Sequence, residues 1–429
     1  MSRVLILGSG GREHAISKSI SNDKKVDKIF CAPGNPGTQE IGENVELDIN
    51  NNIEILEFIN SNNISLTIVG PEQPLENGVV DFIQSNGHKI FGPSRYSAKL
   101  ETSKLFARDF MEKYNIPQPS YFKCSTEEEV VSVSTKLGFP IVLKADGLAA
   151  GKGVIICNNS LELDAAMDVM FNKKKFGKAA KFISVEECLK GEEISIFLVS
   201  DGKSYKILNS AQDHKRIFND DKGPNTGGMG AYCPSPLLND DLLEEIERTI
   251  IKPTINGMVN EGSPYTGFLY IGLMLTNGKP YVIEFNARMG DPETQVVLPM
   301  MNNSLYDLIN SSFDSSFHEH EILNKEGYCV TVVLSALGYP DKYETHMLIK
   351  GLDKIDPNMY FHAGTIIDNN KDYYSNGGRV LNILGFGSTL AKAIKNAYSN
   401  IDKIEFKDMY YRTDIGQKGL NYIKELNDQ

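Results

Sequence analysis

The chain has 429 residues, 41% of them hydrophobic and 23% charged, which is the composition of a folded protein of about three domains. Its 56 Asp and Glu residues outnumber its 44 Lys and Arg residues, and the net charge of −12 argues against a protein that wraps a nucleic-acid backbone. No apolar run approaches the ~20 residues that span a bilayer, and the run near the N-terminus is too short for a signal peptide, so we expect a soluble cytoplasmic protein that binds neither nucleic acid nor membrane.

The first hundred residues alternate between strand and helix patterns. This alternation predicts a doubly wound parallel sheet with crossover helices. Ligands bind beyond the carboxyl ends of the strands in such sheets, and Gly- and Pro-rich loops occupy those ends here. The predicted strands are 4–7, 28–32, 65–69 and 89–91, and the predicted helices are 12–20, 53–60 and 79–85.

The pattern changes after residue 100. A helix is predicted at 104–113, and Thr126 followed by Glu129 forms a capping-box pattern that begins another helix, which Gly138 ends. Further strands are predicted at 141–145, 154–157, 181–186, 194–199 and 281–285, and a third block carries strands at 329–334 and 380–384 and a helix at 389–401.

The glycine-rich segment at 8–11 follows the first strand and begins a helix, as in dinucleotide-binding folds. The third small residue of that fingerprint is missing because position 13 is Glu, and no acidic residue ends the second strand. A nicotinamide-dependent oxidoreductase is therefore disfavoured. The free N–H groups of a helix N-terminus can still bind the phosphate of a small substrate, and a tight turn without a ligand is the alternative.

A second glycine-rich segment, KADGLAAGKG at 144–153, nearly matches a phosphate-binding P-loop. It lacks the four-residue gap and the final Ser or Thr, and strands are predicted on both of its sides. We interpret it as a loop between two strands that can fold over phosphates as a mobile lid. A flexible hairpin is the alternative.

Two acidic segments are further candidates. Residues 186–193 could hold a base on strand-edge backbone and a ribose on a carboxylate, although a solvated acidic turn is favoured for this segment taken alone. On the strand at 281–285, alternation places Glu284, Asn286 and Arg288 on one face and packs Ile283 and Phe285 on the other. Carboxylate and amide oxygens suit Mg²⁺ and Arg suits an anion; a plain polar face is the alternative.

In their order and spacing, these segments resemble the ATP-grasp superfamily and, more narrowly, the phosphoribosylamine–glycine ligase family. The matching segments are GSGGREHA at 8–15, APGN at 32–35, IVGPE at 68–72, KADGLAAGKG at 144–153, QDHKR at 212–216, GPNTGGMGAY at 223–232, EFNARMGDPET at 284–294, HAGT at 362–365 and NGGRV at 376–380. The resemblance implies an α/β fold: an N-terminal doubly wound parallel-sheet domain at 1–103, a central ATP-grasp domain at 104–320 with a lid subdomain at about 123–190, and a C-terminal α/β domain at 321–429.

The resemblance also implies which residues bind ligands. ATP is expected between the lid and the main sheet, on Lys104, Lys144, Gly147, Gly151, Lys152, Gly153, Glu186, Glu187, Leu189 and Glu193. Glu284 and Asn286 are expected to hold Mg²⁺ or Mn²⁺. Asp213 and Arg288, the expected catalytic residues, would surround glycine together with the loop of Asn225 and Gly228, and the phosphoribosyl end would contact Gly10, Gly11 and Asn35.

The implied reaction is the ATP-dependent ligation of glycine to 5-phosphoribosylamine through a glycyl phosphate, which gives glycinamide ribonucleotide, ADP and phosphate in purine biosynthesis. A monomer is expected, with a weak homodimer as the alternative. One departure from the superfamily is the absence of an acid at 267–275, which leaves the protein ligands of any second metal open. The rival interpretations are another carboxylate–amine ligase, a component of a biotin-dependent carboxylase, and a nucleotide-binding module without activity.

Overall fold

The computed structural model describes residues 1–148, 153–172 and 182–428. Gly151, Lys152 and the first residue of the strand predicted at 181–186 lie outside the described residues. The described residues form six sheets: one in the N-terminal region, three in the central region and two in the C-terminal region. None of the described helices is both long and apolar enough to cross a membrane.

The N-terminal region is a parallel sheet in the order β3-β2-β1-β4-β5, which confirms the predicted doubly wound sheet. The carboxyl ends of its strands share one edge, where the glycine-rich turn after β1 lies. Helix α2 begins inside the segment expected to be an open loop, because Asn35 caps its N-terminus and Pro36 fits its first turn. The elements are β1 (Ser2–Gly8), α1 (Gly11–Ser21), β2 (Val26–Pro33), α2 (Pro36–Ile41), β3 (Glu43–Asn44), α3 (Asn52–Asn62), β4 (Leu66–Val69), α4 (Glu72–Glu76), α5 (Val79–Ser85), β5 (Ile90–Phe91) and α6 (Lys99–Thr102).

Next comes helix α7 (Lys104–Lys113) and a small antiparallel sheet, in the order β6-β9-β7-β8, which we call the lid sheet. The Thr126 side chain accepts a hydrogen bond from the Glu129 N–H and Gly138 follows the last helical residue, as the capping pattern predicts. The lid elements are β6 (Tyr121–Cys124), α8 (Glu127–Leu137), β7 (Ile141–Ala145), β8 (Val154–Cys157), α9 (Ser160–Met167) and β9 (Ile183–Glu187).

The main sheet of the central region is antiparallel, in the order β11-β10-β16-β17, and helices α7, α10 and α11 contribute to the core on it. The elements are β10 (Glu192–Asp201), β11 (Tyr205–Ile207), β12 (Gln212–Asp213), β13 (Arg216–Phe218), β14 (Lys222–Asn225), β15 (Gly230–Cys233), α10 (Asp240–Ile246), α11 (Lys252–Asn260), β16 (Thr266–Thr276), β17 (Lys279–Asn286), α12 (Thr294–Val297) and α13 (Leu305–Ser311).

The C-terminal sheet has the order β12-β15-β18-β23-β20, so two strands of the central region extend it. This joint strand pairing fixes Asp213, the last residue of β12, between the main sheet and the C-terminal region. The elements are β18 (Tyr328–Ala336), β19 (Leu348–Ile349), β20 (Tyr360–His362), β21 (Thr365–Ile367), β22 (Tyr373–Ser375), β23 (Arg379–Gly387), α14 (Leu390–Ile401), β24 (Met409–Tyr410) and α15 (Gln417–Asn427).

Candidate active site

A buried cluster of three charged side chains joins the lid sheet to the main sheet. Arg108 of α7 donates two hydrogen bonds to the Glu186 carboxylate, at 2.9 and 2.6 Å. The Lys144 ammonium lies 2.9 Å from the same carboxylate. Burial alone would raise the pKa of Glu186, but the two cations outweigh it and lower that pKa to about 2. Glu186 is therefore ionised, and it holds the Lys144 side chain in a fixed position.

This arrangement changes the expected role of Glu186. Its carboxylate is 1% exposed and accepts hydrogen bonds from Arg108 and Ser184, so the favoured interpretation of this segment as a solvated turn is wrong for Glu186. Glu187, the next residue, is exposed, and Leu189 is half-buried.

A β-bulge on β17 decides which side chains face the cleft. The pairing with β16 places Glu284 opposite Gly272 and Val282 opposite Leu273, so Ile283 is an extra residue on its strand. The expectation that Ile283 and Phe285 pack on one face is wrong, since it is Val282 and Phe285 that enter the core. The Ile283 carbonyl oxygen instead accepts hydrogen bonds from Lys144 at 2.9 Å and from Arg108 at 3.0 Å.

The start of the loop between β7 and β8 is held by the N-terminus of α7. Asp146 accepts hydrogen bonds from the Ser103 hydroxyl at 3.0 Å and the Leu105 N–H at 3.2 Å. The Lys104 ammonium donates to the Gly147 carbonyl at 2.9 Å. At the far end of the loop, the Gly153 carbonyl accepts from the Ala145 N–H at 2.9 Å. The prediction that this segment connects two strands is confirmed.

Beside this loop, Glu284 and Asn286 lie on the cleft side of β17. In the part of the chain that the structure describes, no group donates a hydrogen bond to the Glu284 carboxylate. Burial lowers the pKa of Lys104 and Lys144, and the charge of the Glu284 carboxylate partly opposes this effect. The Asn286 amide, oriented so that both its ends find partners, donates its NH₂ group to Glu101 at 3.0 Å. Its oxygen then points away from Glu101.

Arg288 follows β17 and is held by two carboxylates of the N-terminal region. Its guanidinium lies 2.9 Å from Glu101 and 3.4 Å from Glu72. It also donates to the Met289 carbonyl at 3.1 Å, and Arg12 donates to the same oxygen at 3.3 Å. Two guanidinium groups therefore converge at one point of the cleft, which favours an anionic ligand there.

Asp213 and Glu193 share one half-buried cation, Lys215. The Lys215 ammonium lies 3.1 Å from Asp213 and 2.5 Å from Glu193. Burial raises the pKa of Asp213, and burial together with the Asp213 carboxylate raises the pKa of the neighbouring Glu293 to about 8. A group that carries a positive charge, such as an amine, would be stabilised beside Asp213 and Glu293.

At the N-terminus of α1, carboxylates of the protein accept hydrogen bonds from the Gly10 and Arg12 N–H groups. The Gly10 N–H donates to Glu13 at 2.6 Å, and the Arg12 N–H donates to Asp291 at 3.3 Å. A Cβ on Gly11 would come within 2.5 Å of Gln295 and Asn382, so glycine is needed here for close packing between the three regions.

Asn35 is 5% exposed and its side chain is engaged on both ends. Its NH₂ group donates to the Ser9 carbonyl at 2.8 Å and the His362 carbonyl at 3.1 Å, and its oxygen accepts from the Thr38 N–H at 3.1 Å. These contacts give Asn35 the task of holding the glycine turn against the C-terminal region.

The C-terminal region reaches the cleft through Arg379, at the start of β23. Its guanidinium donates to the carbonyls of Gly227 at 2.9 Å and Asp291 at 2.6 Å and lies 3.2 Å from the Asp291 carboxylate. Gly228 adopts a φ of +118° and packs on Pro292, while Asn225 ends β14 and is half-buried. Arg379 thus fixes the loop of Asn225 and Gly228 against the segment after β17.

The structure brings the predicted charged residues Lys104, Lys144, Asp213 and Arg288 within electrostatic range of Glu284. It also adds several residues that the sequence analysis missed. Within the described residues, no group of three or more His, Cys, Asp or Glu side chains is placed to hold a metal ion. The missed residues are Glu101, Arg108, Lys215, Glu293 and Arg379, of which Lys215, Glu293 and Arg379 lie in the matching segments QDHKR, EFNARMGDPET and NGGRV.

Comparisons with known proteins point to one family over most of the chain. Models of the phosphoribosylglycinamide synthetase N domain, ATP-grasp (A) domain and C domain match residues 2–101, 102–294 and 329–418. The phosphoribosylamine–glycine ligase of Clostridium acetobutylicum is 42% identical over 415 residues, which are 97% of this chain and 99% of that protein. That of Halalkalibacterium halodurans is 43% identical over 418 residues, 97% of each chain.

Solved structures give the same result. The phosphoribosylamine–glycine ligase from Thermotoga maritima superposes with a TM-score of 0.83 at 33% identity, over 96% of this chain and 100% of that chain. The biotin carboxylase from Campylobacter jejuni, solved as a complex with β,γ-ATP, gives a TM-score of 0.71 at 15% identity over 96% of this chain and 93% of that chain. The second likeness concerns the fold alone.

Proposed function

The chain belongs to the phosphoribosylglycinamide synthetase family, and we propose which residues of its cleft bind each substrate and the metal ion. The protein is an ADP-forming carbon–nitrogen ligase of purine biosynthesis. It uses ATP to join glycine to 5-phosphoribosylamine. Membership of this family removes the oxidoreductase, the biotin-dependent carboxylase and the inactive nucleotide-binding module as interpretations of the chain.

The chemistry explains why the cleft is lined with charges rather than nucleophiles. The glycine carboxylate is a poor electrophile, so it attacks the γ-phosphorus of ATP and ADP leaves. The amine of phosphoribosylamine then attacks the carbonyl carbon of glycyl phosphate, and inorganic phosphate leaves as the amide forms. Both steps need positioning and neutralisation of charge more than covalent help from the protein.

The ATP phosphates are assigned to Lys104, Lys144, Gly147 and Gly153, with the expected Gly151 and Lys152 outside the described residues. The fixed position of Lys144, between Glu186 and the Ile283 carbonyl, is the observation that carries this assignment. A buried ammonium held at both sides loses little further freedom when a phosphate arrives. We assign the adenine to the segment from Glu187 to Leu189 and the ribose to Glu193.

The metal site is assigned to Glu284 and Asn286. The donor set fits a hard cation, because a carboxylate without a hydrogen bond from the described residues and an amide oxygen turned away from Glu101 lie on one strand face. Two protein oxygens suit Mg²⁺, which keeps waters and substrate phosphates in its shell. The bound cation would neutralise charge on the ATP phosphates; Mn²⁺, with the same oxygen ligands, is the second choice.

We assign glycine to Asp213 and Arg288, together with the loop of Asn225 and Gly228. Arg288 suits the carboxylate of glycine, and the carboxylates of Asp213 and Glu293 suit its ammonium group. The phosphoribosyl end is assigned to Gly10 and Gly11, where Arg12 supplies a guanidinium, with Asn35 holding the turn in place. We further propose the domain limits 1–103, 104–320 with a lid at about 123–190, and 321–429, and a monomer.

The proposed division of work is tested by ADP release in the presence of Mg²⁺. ADP should form when glycine and phosphoribosylamine are both present. With glycine labelled by ¹⁸O in its carboxylate, one label should appear in the released phosphate, because the attacking oxygen leaves with it. Label recovered in AMP, with pyrophosphate released, would show that the residues assigned to the γ-phosphoryl group have another task.

A further inference from the structure

We propose that Glu101 is a positioning residue that orients both the metal ligand Asn286 and the substrate-binding Arg288. The proposal rests on the function proposed for those two residues. Glu101 lies on α6 in the N-terminal region, yet its carboxylate contacts three consecutive residues at the end of β17. One oxygen accepts from the Asn286 amide at 3.0 Å and lies 2.9 Å from the Arg288 guanidinium, and the other accepts from the Ala287 N–H at 2.7 Å.

The contact with Asn286 decides which end of the amide faces the cleft. An amide side chain has an oxygen that can bind a cation and an NH₂ group that repels one. Because Glu101 accepts a hydrogen bond from the NH₂ group, the oxygen is turned to the opposite side, away from Glu101. A partner of this kind, outside the ligand set, orients a metal ligand and raises affinity for the metal.

The contact with Arg288 aims the guanidinium at the substrate. Glu101 holds one terminal nitrogen, and Glu72 lies 3.4 Å from the Nε atom. The Glu101 side chain is only 7% exposed, whereas that of Glu72 is 31% exposed. Glu101 therefore acts through its neighbours, and Glu72 shares its contact with Arg288 but is not hydrogen-bonded to Asn286.

The same short segment also holds the glycine loop. Shortly after Glu101, the Ser103 hydroxyl and the Leu105 N–H donate hydrogen bonds to the Asp146 carboxylate, and the Lys104 ammonium donates one to the Gly147 carbonyl. The segment 101–105 thus contacts the residues assigned to the metal and to glycine at one end, and the first residues of the loop between β7 and β8 at the other. It therefore fixes the position of those assigned residues relative to the loop.

Glu101→Gln and Glu72→Gln form a matched pair of variants. Three donors converge on the Glu101 carboxylate, and a Gln amide would turn its own donor toward one of them. We expect Glu101→Gln to weaken Mn²⁺ binding to the enzyme–ATP complex by about 10–100-fold, measured by electron paramagnetic resonance, and to raise the KM for glycine. Glu72→Gln should raise the KM for glycine alone and leave Mn²⁺ binding at the wild-type value.

Glu284→Gln, measured alongside, separates this proposal from the metal assignment on which it rests. If Glu284→Gln weakens Mn²⁺ binding and Glu101→Gln does not, the role proposed for Glu101 is wrong and the metal site stands. If neither variant weakens Mn²⁺ binding, the metal site has been assigned to the wrong residues and the Glu101 proposal falls with it. Equal effects of Glu101→Gln and Glu72→Gln on Mn²⁺ and glycine would also overturn the proposal.

Glu101→Asp provides a second test in case Glu101→Gln does not fold. It keeps the negative charge but shortens the side chain by one methylene. Its carboxylate would therefore lie further from Ala287, from Asn286 and from Arg288. Mn²⁺ affinity between those of wild type and Glu284→Gln is the expected result. Wild-type Mn²⁺ affinity and wild-type KM for glycine in Glu101→Asp would contradict the proposal.

Discussion

Replacing Glu186 with Gln removes the carboxylate that pairs with two buried cations, Arg108 and Lys144. The pKa of Glu186 falls from 4.5 to about 2 in the folded protein. A shift of this size means that the surroundings favour the ionised over the neutral side chain by on the order of 3 kcal/mol. Gln is neutral and of the same shape, so the unfolding free energy should fall by a similar amount at pH ~7.

Thermal unfolding, followed by far-ultraviolet circular dichroism because the chain has no Trp, measures this loss. For a cooperative unit of roughly 200 residues, on the order of 3 kcal/mol corresponds to a decrease in Tm of roughly 6–12 °C. The control is Glu193→Gln, since Glu193 pairs with Lys215 through a side chain that is 36% exposed. Its Tm should fall by no more than about 3 °C.

The same variant should also bind ATP less well. Without Glu186, Lys144 keeps its hydrogen bond to the Ile283 carbonyl but loses its charged partner and lies beside Arg108, a like charge. We expect the KM for ATP to rise by about 10-fold, with the KM for glycine unchanged. A Tm within about 2 °C of wild type, together with an unchanged KM for ATP, would show that the buried cluster neither stabilises the lid sheet nor positions Lys144.

Three further predictions concern the metal, the C-terminal region and pH. Glu284→Gln should lower the rate of ADP formation by about 100-fold or more without changing the circular dichroism spectrum, and turnover like wild type at the same Mg²⁺ concentration would refute the metal assignment. Arg379→Met should raise the KM for glycine or phosphoribosylamine by about 10-fold and leave the KM for ATP unchanged, because Arg379 holds the loop at Gly227 and not the lid sheet. Burial lowers the pKa of His362 from 6.5 to about 3. Below pH ~6.5 the unfolded state therefore binds a proton at this residue that the folded state does not bind, and the free energy of unfolding falls as the pH drops. At pH ~5 this amounts to about 2 kcal/mol, and Tm should therefore fall less between pH ~7 and ~5 in His362→Gln than in wild type.

Much of the fold could be read from the sequence because its signals are local. Helix α7 and strands β7 and β8 have the predicted bounds, since apolar runs, capping residues and Gly or Pro breaks lie within each element or next to it. The loop between β7 and β8 follows from strand patterns on its two sides. The strands and helices between 201 and 265 were not predicted. The short strand β15 is stabilised by pairing with the distant strand β18, which leaves no local signal.

The chemistry of the site could also be anticipated where it depends on residue type in a short segment. Glu284, Asn286 and Arg288 are polar residues at the end of an otherwise apolar strand, and the segments around them match a known family. The bulge at Ile283 could not be predicted, because it arises from the register with β16 and reverses the side on which Val282 and Ile283 lie.

Only the tertiary structure decided which polar residues hold other residues in place. Glu186 lies in an acidic segment that by itself suggests a solvated turn, and it is buried because Arg108, 78 residues earlier, supplies its partner. Glu101 reaches the end of β17 from another region, and the Asn35 amide forms hydrogen bonds with the glycine turn and with the C-terminal region. Burial and pairing between distant residues determine these roles, since a charged or amide side chain can be buried only where the fold supplies its hydrogen-bond partners.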